Sequence, residues 1–214
     1  MRIALLDYGM GNRRSVQKAL EHVGAEVVVT SDPELLRGCR GLVIPGVGAF
    51  PRAMQRLHEL ALVEPVQSLA REGMPILGIC LGMQLLFDSS EEIEPTLGLG
   101  LLPGKVTWLE TTLRLPHIGW NDVRFDRPSQ LTDGLPAAGC PFYHVHSLAP
   151  RPAASGVVAT TEYGERFATI VERGNVAGVQ FHPEKSSAHG LRLLTNYLSV
   201  CAASTDRLGL ATRA

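Results

Sequence analysis

The 214-residue sequence predicts an α/β domain in which helices flank a central mixed, mostly parallel sheet. In the first half of the chain, short apolar runs alternate with segments of helical periodicity, which is typical of buried parallel strands and their crossover helices. In the second half, short strand-like runs follow one another with only turns between them, which favours antiparallel pairing. With 45% hydrophobic and 19% charged residues, the chain can bury a full core.

The elements of the first half are identified from periodicity and from runs of β-branched residues. Val16, Ala19, Leu20 and Val23 share one helical face, and Gly24 ends that helix. The sequence predicts strands over 3–7, 25–30, 42–44 and 75–79, and helices over 12–23, 60–71 and 81–87.

The second half is predicted to form short strands and one closing helix. The expected strands lie at 106–109, 122–125, 143–148, 156–161, 167–171 and 176–181, followed by an apolar helix over 189–201. We expect a single domain over residues 1–203 and a loose tail over 204–214.

Composition excludes several classes of protein. The formal net charge of −1 argues against non-specific binding to nucleic acid or to a membrane surface. No apolar run reaches the roughly 18 residues that a membrane-spanning helix needs. The apolar run before Asp7 is only four residues long, too short for a signal-peptide core, so we expect a cytoplasmic protein. The four cysteines are dispersed, which predicts neither disulfides nor a metal site.

Cys80 stands apart from the other cysteines because it lies in a G-x-C-x-G segment between a predicted strand and a predicted helix. Such a strand-to-helix elbow lifts a nucleophile above the sheet, and Gly78 and Gly82 permit the tight bend. The helix N-terminus favours a thiolate and directs the Leu81 N–H toward an incoming oxyanion. The alternative is a buried cysteine between core elements, which is our interpretation of Cys39, Cys140 and Cys201.

His182 and Glu184 follow the last predicted strand. Residues two apart in extended chain face the same side, so the two side chains can point into one site. A carboxylate on one imidazole nitrogen would fix the tautomer that a general base needs. The alternative is a solvated surface turn, and His117, His144 and His146 are competing candidate bases.

Two glycine turns follow predicted strands. The turn over 7–14 lacks the third glycine of a dinucleotide-binding motif, because Arg14 occupies that position. In the turn over 45–50, Gly46 and Gly48 flank Val47, whose peptide can rotate and present its N–H to the site. A binding partner that favours the flipped peptide would then complete an oxyanion hole.

The motifs GICLGMQ (78–84), PGVG (45–48) and FHPEKS (181–186) resemble those of the class I, or triad, glutamine amidotransferases. The segments DYGMGN (7–12), GWN (119–121) and VHS (145–147) narrow the resemblance to the branch that serves histidine biosynthesis. The resemblance runs from residue 3 to about 198. It implies a flavodoxin-like fold, L-glutamine as substrate and no cofactor or metal. It also implies a heterodimer with the (β/α)8 cyclase subunit of imidazole glycerol phosphate synthase.

The same resemblance assigns residue roles. It implies a catalytic triad of Cys80, His182 and Glu184, and oxyanion contacts from the Val47 and Leu81 N–H groups. The implied glutamine contacts are Gly48, Gln84, Ser147 and Leu148. We expect the partner interface to include Gly11, Asn12, Trp120, Asn121 and Lys185. The chain departs from the family pattern at Arg13, at His144, where Phe or a similar residue is usual, and at Leu148, where an aromatic residue is usual.

Three other functions remain open at this level. The chain resembles the glutaminase of pyridoxal phosphate synthase in its triad and topology, although DYGMGN and HPEKS argue against that assignment. A catalytically silent scaffold and a cysteine hydrolase acting on another amide or ester are further alternatives.

Overall fold

The computed structural model describes residues 1–211, except for the side chains of Ala154 and of residues 205–211. Within that range the chain forms six α-helices. They are α1 Arg13–His22, α2 Pro33–Arg37, α3 Phe50–Glu59, α4 Val63–Arg71, α5 Leu81–Leu85 and α6 Ser187–Ala211.

The described residues also form thirteen strands in two sheets. They are β1 Arg2–Leu6, β2 Glu26–Thr30, β3 Leu42–Ile44, β4 Ile76–Ile79, β5 Phe87–Ser90, β6 Thr96–Leu97, β7 Leu102–Trp108, β8 His117–Phe125, β9 Cys140–His146, β10 Leu148–Pro152, β11 Val157–Glu162, β12 Arg166–Arg173 and β13 Val176–Val179.

The large sheet has the strand order β2-β1-β3-β4-β13-β12-β11-β8-β9. The pairings from β2 to β13 are parallel, and those from β13 to β9 are antiparallel. The predicted mixed sheet is therefore confirmed, although only the first five strands of this order form its parallel half. A second sheet, β10-β7-β5-β6, lies beside it.

The antiparallel half curls back toward the carboxyl ends of the parallel strands. The His182 N–H donates to the Tyr143 carbonyl at 2.9 Å, and the Tyr143 N–H donates to Ser186 Oγ at 3.0 Å. Strand β9 therefore returns to the segment that follows β13. This closure brings the end of β9 to the edge where the parallel strands end, which is where α/β folds build their sites.

Helices cover both faces of the parallel strands. Strands β3 and β4 are buried along their whole length, as their apolar sequences require. Helices α3 and α4 contribute Met54, Leu57 and Val66 to the core on one face. Helices α1 and α6 contribute Leu20 and Tyr197 to the core on the other. None of the described helices is long and apolar enough to cross a membrane.

The structure differs from the predicted elements in several places. Helices α2 and α3 were not predicted, and β5 begins where the helix over 81–87 was expected to end. The strand expected over 143–148 is two strands that meet at Ser147. The backbone of α6 is helical from Ser187 to Ala211, so this helix begins before and ends after the range expected for it. Residues 212–214 lie outside the described part.

Candidate active site

Cys80 occupies a strained elbow between β4 and α5. Its backbone has φ 55° and ψ −112°, a conformation that a side-chain-bearing residue adopts only where the surroundings impose it. A Cβ on Gly78 would lie 2.5 Å from the Gly82 carbonyl oxygen, and one on Gly82 would overlap the Ile44 carbonyl. The two glycines are thus required by close packing of α5 on the sheet, and the elbow projects the thiol from the sheet edge.

His182 and Glu184 pair directly behind the cysteine. His182 Nδ1 lies 2.8 Å from Glu184 Oε1, and both side chains are buried. Asn12 Nδ2 donates to the same carboxylate oxygen, while Glu184 Oε2 is buried without a hydrogen-bond partner among the described residues. Glu184 therefore accepts only at Oε1, and this geometry orients the imidazole with Nε2 left for the thiol.

The charge state of His182 is set by opposing effects. Burial alone would lower its pKa, but hydrogen bonds to Cys80 and Glu184 outweigh burial and raise the pKa to about 10. The His182 imidazolium therefore lies beside the Cys80 sulfur. Cys80 Sγ also lies 3.7 Å from the Val145 carbonyl oxygen and 3.9 Å from Gln180 Nε2.

A cavity of about 260 Å³ opens over the cysteine. Its lining contains all but one of the residues predicted for the triad, the oxyanion hole and the glutamine contacts. The exception is Glu184, which lies behind His182. Lys185, from the predicted interface, also reaches the cavity. The predicted residues that line it are Val47, Gly48, Cys80, Leu81, Gln84, Ser147, Leu148 and His182.

The Tyr8 side chain supports the turn that carries Val47. Burial raises the pKa of Tyr8, so its hydroxyl stays protonated and donates to the Pro45 carbonyl at 2.6 Å. A side chain at Gly46 would overlap that hydroxyl. Gly48 has φ +111°, which favours glycine. The turn is therefore shaped by two glycines for different reasons: space at Gly46 and conformation at Gly48.

Gln84 is held by neighbouring groups. Its Nε2 donates to the Leu148 carbonyl at 3.2 Å and to Gln180 Oε1 at 3.1 Å. Both amide hydrogens are thereby used, so Oε1 is the atom left to accept a hydrogen bond from a bound molecule. Gln180 was not singled out by the sequence, because a buried glutamine after a strand carries no local signature.

Glu92 is another cavity residue that the sequence analysis missed. Its Oε2 accepts from the Phe50 N–H at 2.6 Å, at the first turn of α3. It reaches the cavity from the loop between β5 and β6, which was not predicted as structured. No motif marks it, and only the three-dimensional placement brings its carboxylate to the site.

The competing histidines form a buried cluster, and one of them, His146, also lines the cavity. His117, His144 and His146 have ring nitrogens within 4.8 Å of one another, close enough to consider a metal. However, His117 and His144 are stacked at 23°, so their lone pairs lie in separate planes, and His117 Nδ1 and His146 Nε2 bond to each other at 3.0 Å. This arrangement does not fit metal coordination, which needs free nitrogens directed at one point.

Three of the five predicted interface residues lie on the outside of the molecule, whereas the Asn12 amide is engaged with the Glu184 carboxylate. Gly11 and Lys185 are exposed, and Trp120 is 54% exposed, which rules out a core position for its ring. The Asn121 amide instead turns inward, donating to the Glu162 carbonyl and contacting His117. Its side chain is therefore engaged within the chain.

The remaining candidates lie apart from the cavity. Cys39, Cys140 and Cys201 are buried, and burial raises the pKa of each thiol. The Glu165 carboxylate is held by a bidentate pair with Arg151.

Comparison with known families gives a match over most of the chain. The model of the family described as glutamine amidotransferase class-I matches residues 4–200. A protein of Moorella thermoacetica named imidazole glycerol phosphate synthase subunit HisH is 52% identical over 196 residues, covering 91% of this chain and 93% of the relative. A protein of the same name from Bacillus cereus is 47% identical, covering 97% of this chain and 100% of the relative.

Solved structures share the fold at lower identity. A crystal structure titled glutamine amidotransferase superposes with a TM-score of 0.74 at 22% identity, covering 94% of this chain and 98% of the other. A putative GMP synthase protein from Thermoplasma acidophilum gives a TM-score of 0.75 at 19% identity, covering 98% of both chains.

Proposed function

Because this chain belongs to the class I glutamine amidotransferases, we propose that it is the glutaminase subunit of an imidazole glycerol phosphate synthase. It hydrolyses L-glutamine to glutamate and ammonia, and the ammonia passes to a cyclase subunit that makes imidazole glycerol phosphate and AICAR. The observation that carries the proposal is the Cys80–His182–Glu184 arrangement at a cavity, in a chain about half identical to proteins of that name.

The reaction begins with attack of the Cys80 thiolate on the side-chain amide carbon of glutamine. The negative charge that develops on the amide oxygen is stabilised by the Val47 and Leu81 N–H groups, each contributing about 3–4 kcal/mol in comparable sites. The imidazolium of His182 protonates the leaving nitrogen, so ammonia departs and a thioester remains. His182 then removes a proton from water, which hydrolyses the thioester to glutamate and restores the thiolate.

Recognition of the amino acid depends on polar groups of the cavity wall. Glu92 provides the carboxylate on the cavity wall and pairs with the α-ammonium of glutamine. The Gln84 Oε1 atom accepts from the ammonium or from the side-chain amide, since its Nε2 is already engaged. The backbone at Gly48, Ser147 and Leu148 completes the subsite.

The partner is a (β/α)8 cyclase subunit, which receives the ammonia before solvent can protonate it. Three large apolar side chains support a docking face near the cavity: Trp108, Ile118 and Trp120 are each at least half exposed. Trp108 also lines the cavity, so this face borders the site where ammonia forms. Asn12 and Lys185 lie beside the triad and complete the proposed face.

A glutamine-mimicking chloroketone tests the site directly. We expect it to alkylate Cys80 before the three buried cysteines, and L-glutamine to slow the labelling while L-asparagine does not. Labelling that glutamine leaves unchanged, or labelling of another cysteine first, would contradict the proposed substrate and nucleophile.

A further inference from the structure

The buried histidine cluster contains a chain of hydrogen bonds whose direction is determined by its two ends. The Leu148 carbonyl oxygen can only accept, and it lies 2.8 Å from His146 Nδ1. His146 Nδ1 must therefore carry hydrogen, which leaves His146 Nε2 with its lone pair. That nitrogen lies 3.0 Å from His117 Nδ1, so His117 Nδ1 must carry hydrogen in turn.

The other end of the hydrogen-bond chain agrees with this direction. His117 Nε2 is left as an acceptor, and Asn121 Nδ2 contacts it at 3.2 Å. The second hydrogen of the same amide reaches the Glu162 carbonyl at 2.9 Å. Every nitrogen of the two imidazoles is thus used once, and both rings are neutral in this arrangement.

Aromatic side chains hold the two rings in place. His117 is stacked between Tyr163, with ring centroids 4.0 Å apart, and His144, at 4.8 Å. Phe167 packs edge-on against His146 at 5.0 Å. Burial lowers the pKa of His117 to about 4 and that of His146 to about 3, which favours the neutral pair at neutral pH.

The chain of hydrogen bonds ends at the backbone of the glutamine subsite. Ser147 separates β9 from β10, and Ser147 and Leu148 line the cavity above Cys80. The Leu148 carbonyl also accepts from Gln84, so His146 and Gln84 hold the carbonyl group of this cavity residue from two sides. A fixed peptide gives the subsite a preformed geometry, which reduces the ordering cost of binding.

We propose that His117 and His146 are positioning residues, whose hydrogen-bond chain holds the Ser147–Leu148 backbone in the conformation that binds glutamine. This inference rests on the proposed glutaminase function. Neither histidine acts as a base, because neither has a nitrogen free for the thiol or for water.

Imidazole nitrogen chemical shifts of the full chain at neutral pH test the hydrogen-bond chain. We expect both His117 and His146 to be neutral with hydrogen on Nδ1. Hydrogen on Nε2 of either ring, or a doubly protonated ring, would overturn the proposal.

Steady-state glutaminase kinetics of the complex with the cyclase subunit test the positioning role. His146→Leu removes the donor to Leu148, and we expect KM for glutamine to rise about tenfold while kcat changes about twofold or less. His146→Asn keeps a donor at the Nδ1 position and should restore most of the affinity. Alkylation of Cys80 by iodoacetamide, which does not need the subsite, should stay at the wild-type rate.

His144→Phe is the matched control, since His144 lies in the cluster but outside the hydrogen-bond chain. The KM of this variant for glutamine should equal that of the wild type. An unchanged KM in His146→Leu, or parallel losses of kcat and thermal stability without a change in KM, would overturn the positioning role alone. A wild-type complex that releases no glutamate would overturn the proposed function and this inference with it.

Discussion

At Glu184, one carboxylate oxygen accepts hydrogen bonds from both His182 and Asn12. Asn12 is 172 residues distant in sequence and belongs to the turn that we assign to the partner face. The orientation of the imidazole therefore depends on a contact between the two ends of the domain. In the proposed mechanism Glu184 acts through His182, and its replacement should affect the rate less than loss of the imidazole itself.

We expect Glu184→Gln to lower kcat by roughly a hundredfold or more, and His182→Ala to lower it further, because the imidazole survives in the first variant with poorer orientation. Glutamate release by the complex measures both. Glu165→Gln is the control, since Arg151 holds that carboxylate away from the cavity. Equal losses at Glu184 and His182 would mean that Glu184 does more than orient the ring.

Both ring nitrogens of His144 are buried without a hydrogen-bond partner among the described residues. Leaving such groups unpaired costs about 1–3 kcal/mol. We therefore expect His144→Phe, the residue type usual in the family, to raise the free energy of unfolding by about 1 kcal/mol. Denaturant unfolding measures the change. His144→Ala, which leaves a cavity, should instead lower the free energy of unfolding. A similar decrease in His144→Phe would show that the His144 nitrogens have hydrogen-bond partners.

At the scale of elements, the elbow depends on how closely α5 packs on β3. A Cβ at Gly82 would overlap the Ile44 carbonyl, which is backbone and cannot move aside cheaply. We expect Gly82→Ala to lower the free energy of unfolding by at least about 2 kcal/mol. Gly38→Ala is the matched control: Gly38 has φ −73°, and its nearest neighbour would be 3.5 Å from the new Cβ. A Gly82 variant as stable as the Gly38 variant would contradict this account of the elbow.

The sequence identifies the elements whose signals are local. The buried strands β1, β3 and β4 are continuous apolar runs, and the triad lies in short motifs at strand ends. Helix α3 was missed although Pro51 in its first turn is typical of a helix start, because no side-chain cap marks its N-terminus and a glycine-rich turn precedes it. Three contacts join distant segments: that of Asn12 with Glu184, that of β9 with the segment after β13, and that of the Asn121 amide with Glu162. None of these has a local pattern, so sequence reasoning could not find them.

For the molecule as a whole, three buried histidines make the free energy of unfolding depend on pH, and their effects have opposite signs. Burial lowers the pKa of His117 to about 4 and that of His146 to about 3, so the unfolded chain binds more protons below pH 6.5. Stability is therefore lost as pH falls through this window. The raised pKa of His182, about 10, has the opposite sign: its contribution is full below pH 6.5 and is lost as pH rises toward 10.

We expect the free energy of unfolding to have its maximum near pH 6.5 and to fall on acidification by up to about 1.4 kcal/mol per pH unit for each buried histidine. Denaturant unfolding between pH 4 and 8 measures the slope. His117→Phe should reduce the acid slope, whereas replacement of the exposed His58 is the control. A slope that is the same in the wild type and His117→Phe would contradict the assignment of buried neutral imidazoles.

In the proposed function, the ammonia formed at Cys80 is useful only if it reaches a second active site, and the proposed docking face with Trp108, Ile118 and Trp120 offers a surface for that partner. We propose that Cys80 releases the amide nitrogen of glutamine for use by the cyclase. The most direct measurement supplies the complex with glutamine isotopically labelled at its amide nitrogen and follows the label into imidazole glycerol phosphate. We predict full labelling with the wild type and none with Cys80→Ala, whose complex still forms unlabelled product from added ammonia. Label that reaches the product at the wild-type rate in the Cys80→Ala complex would contradict the account.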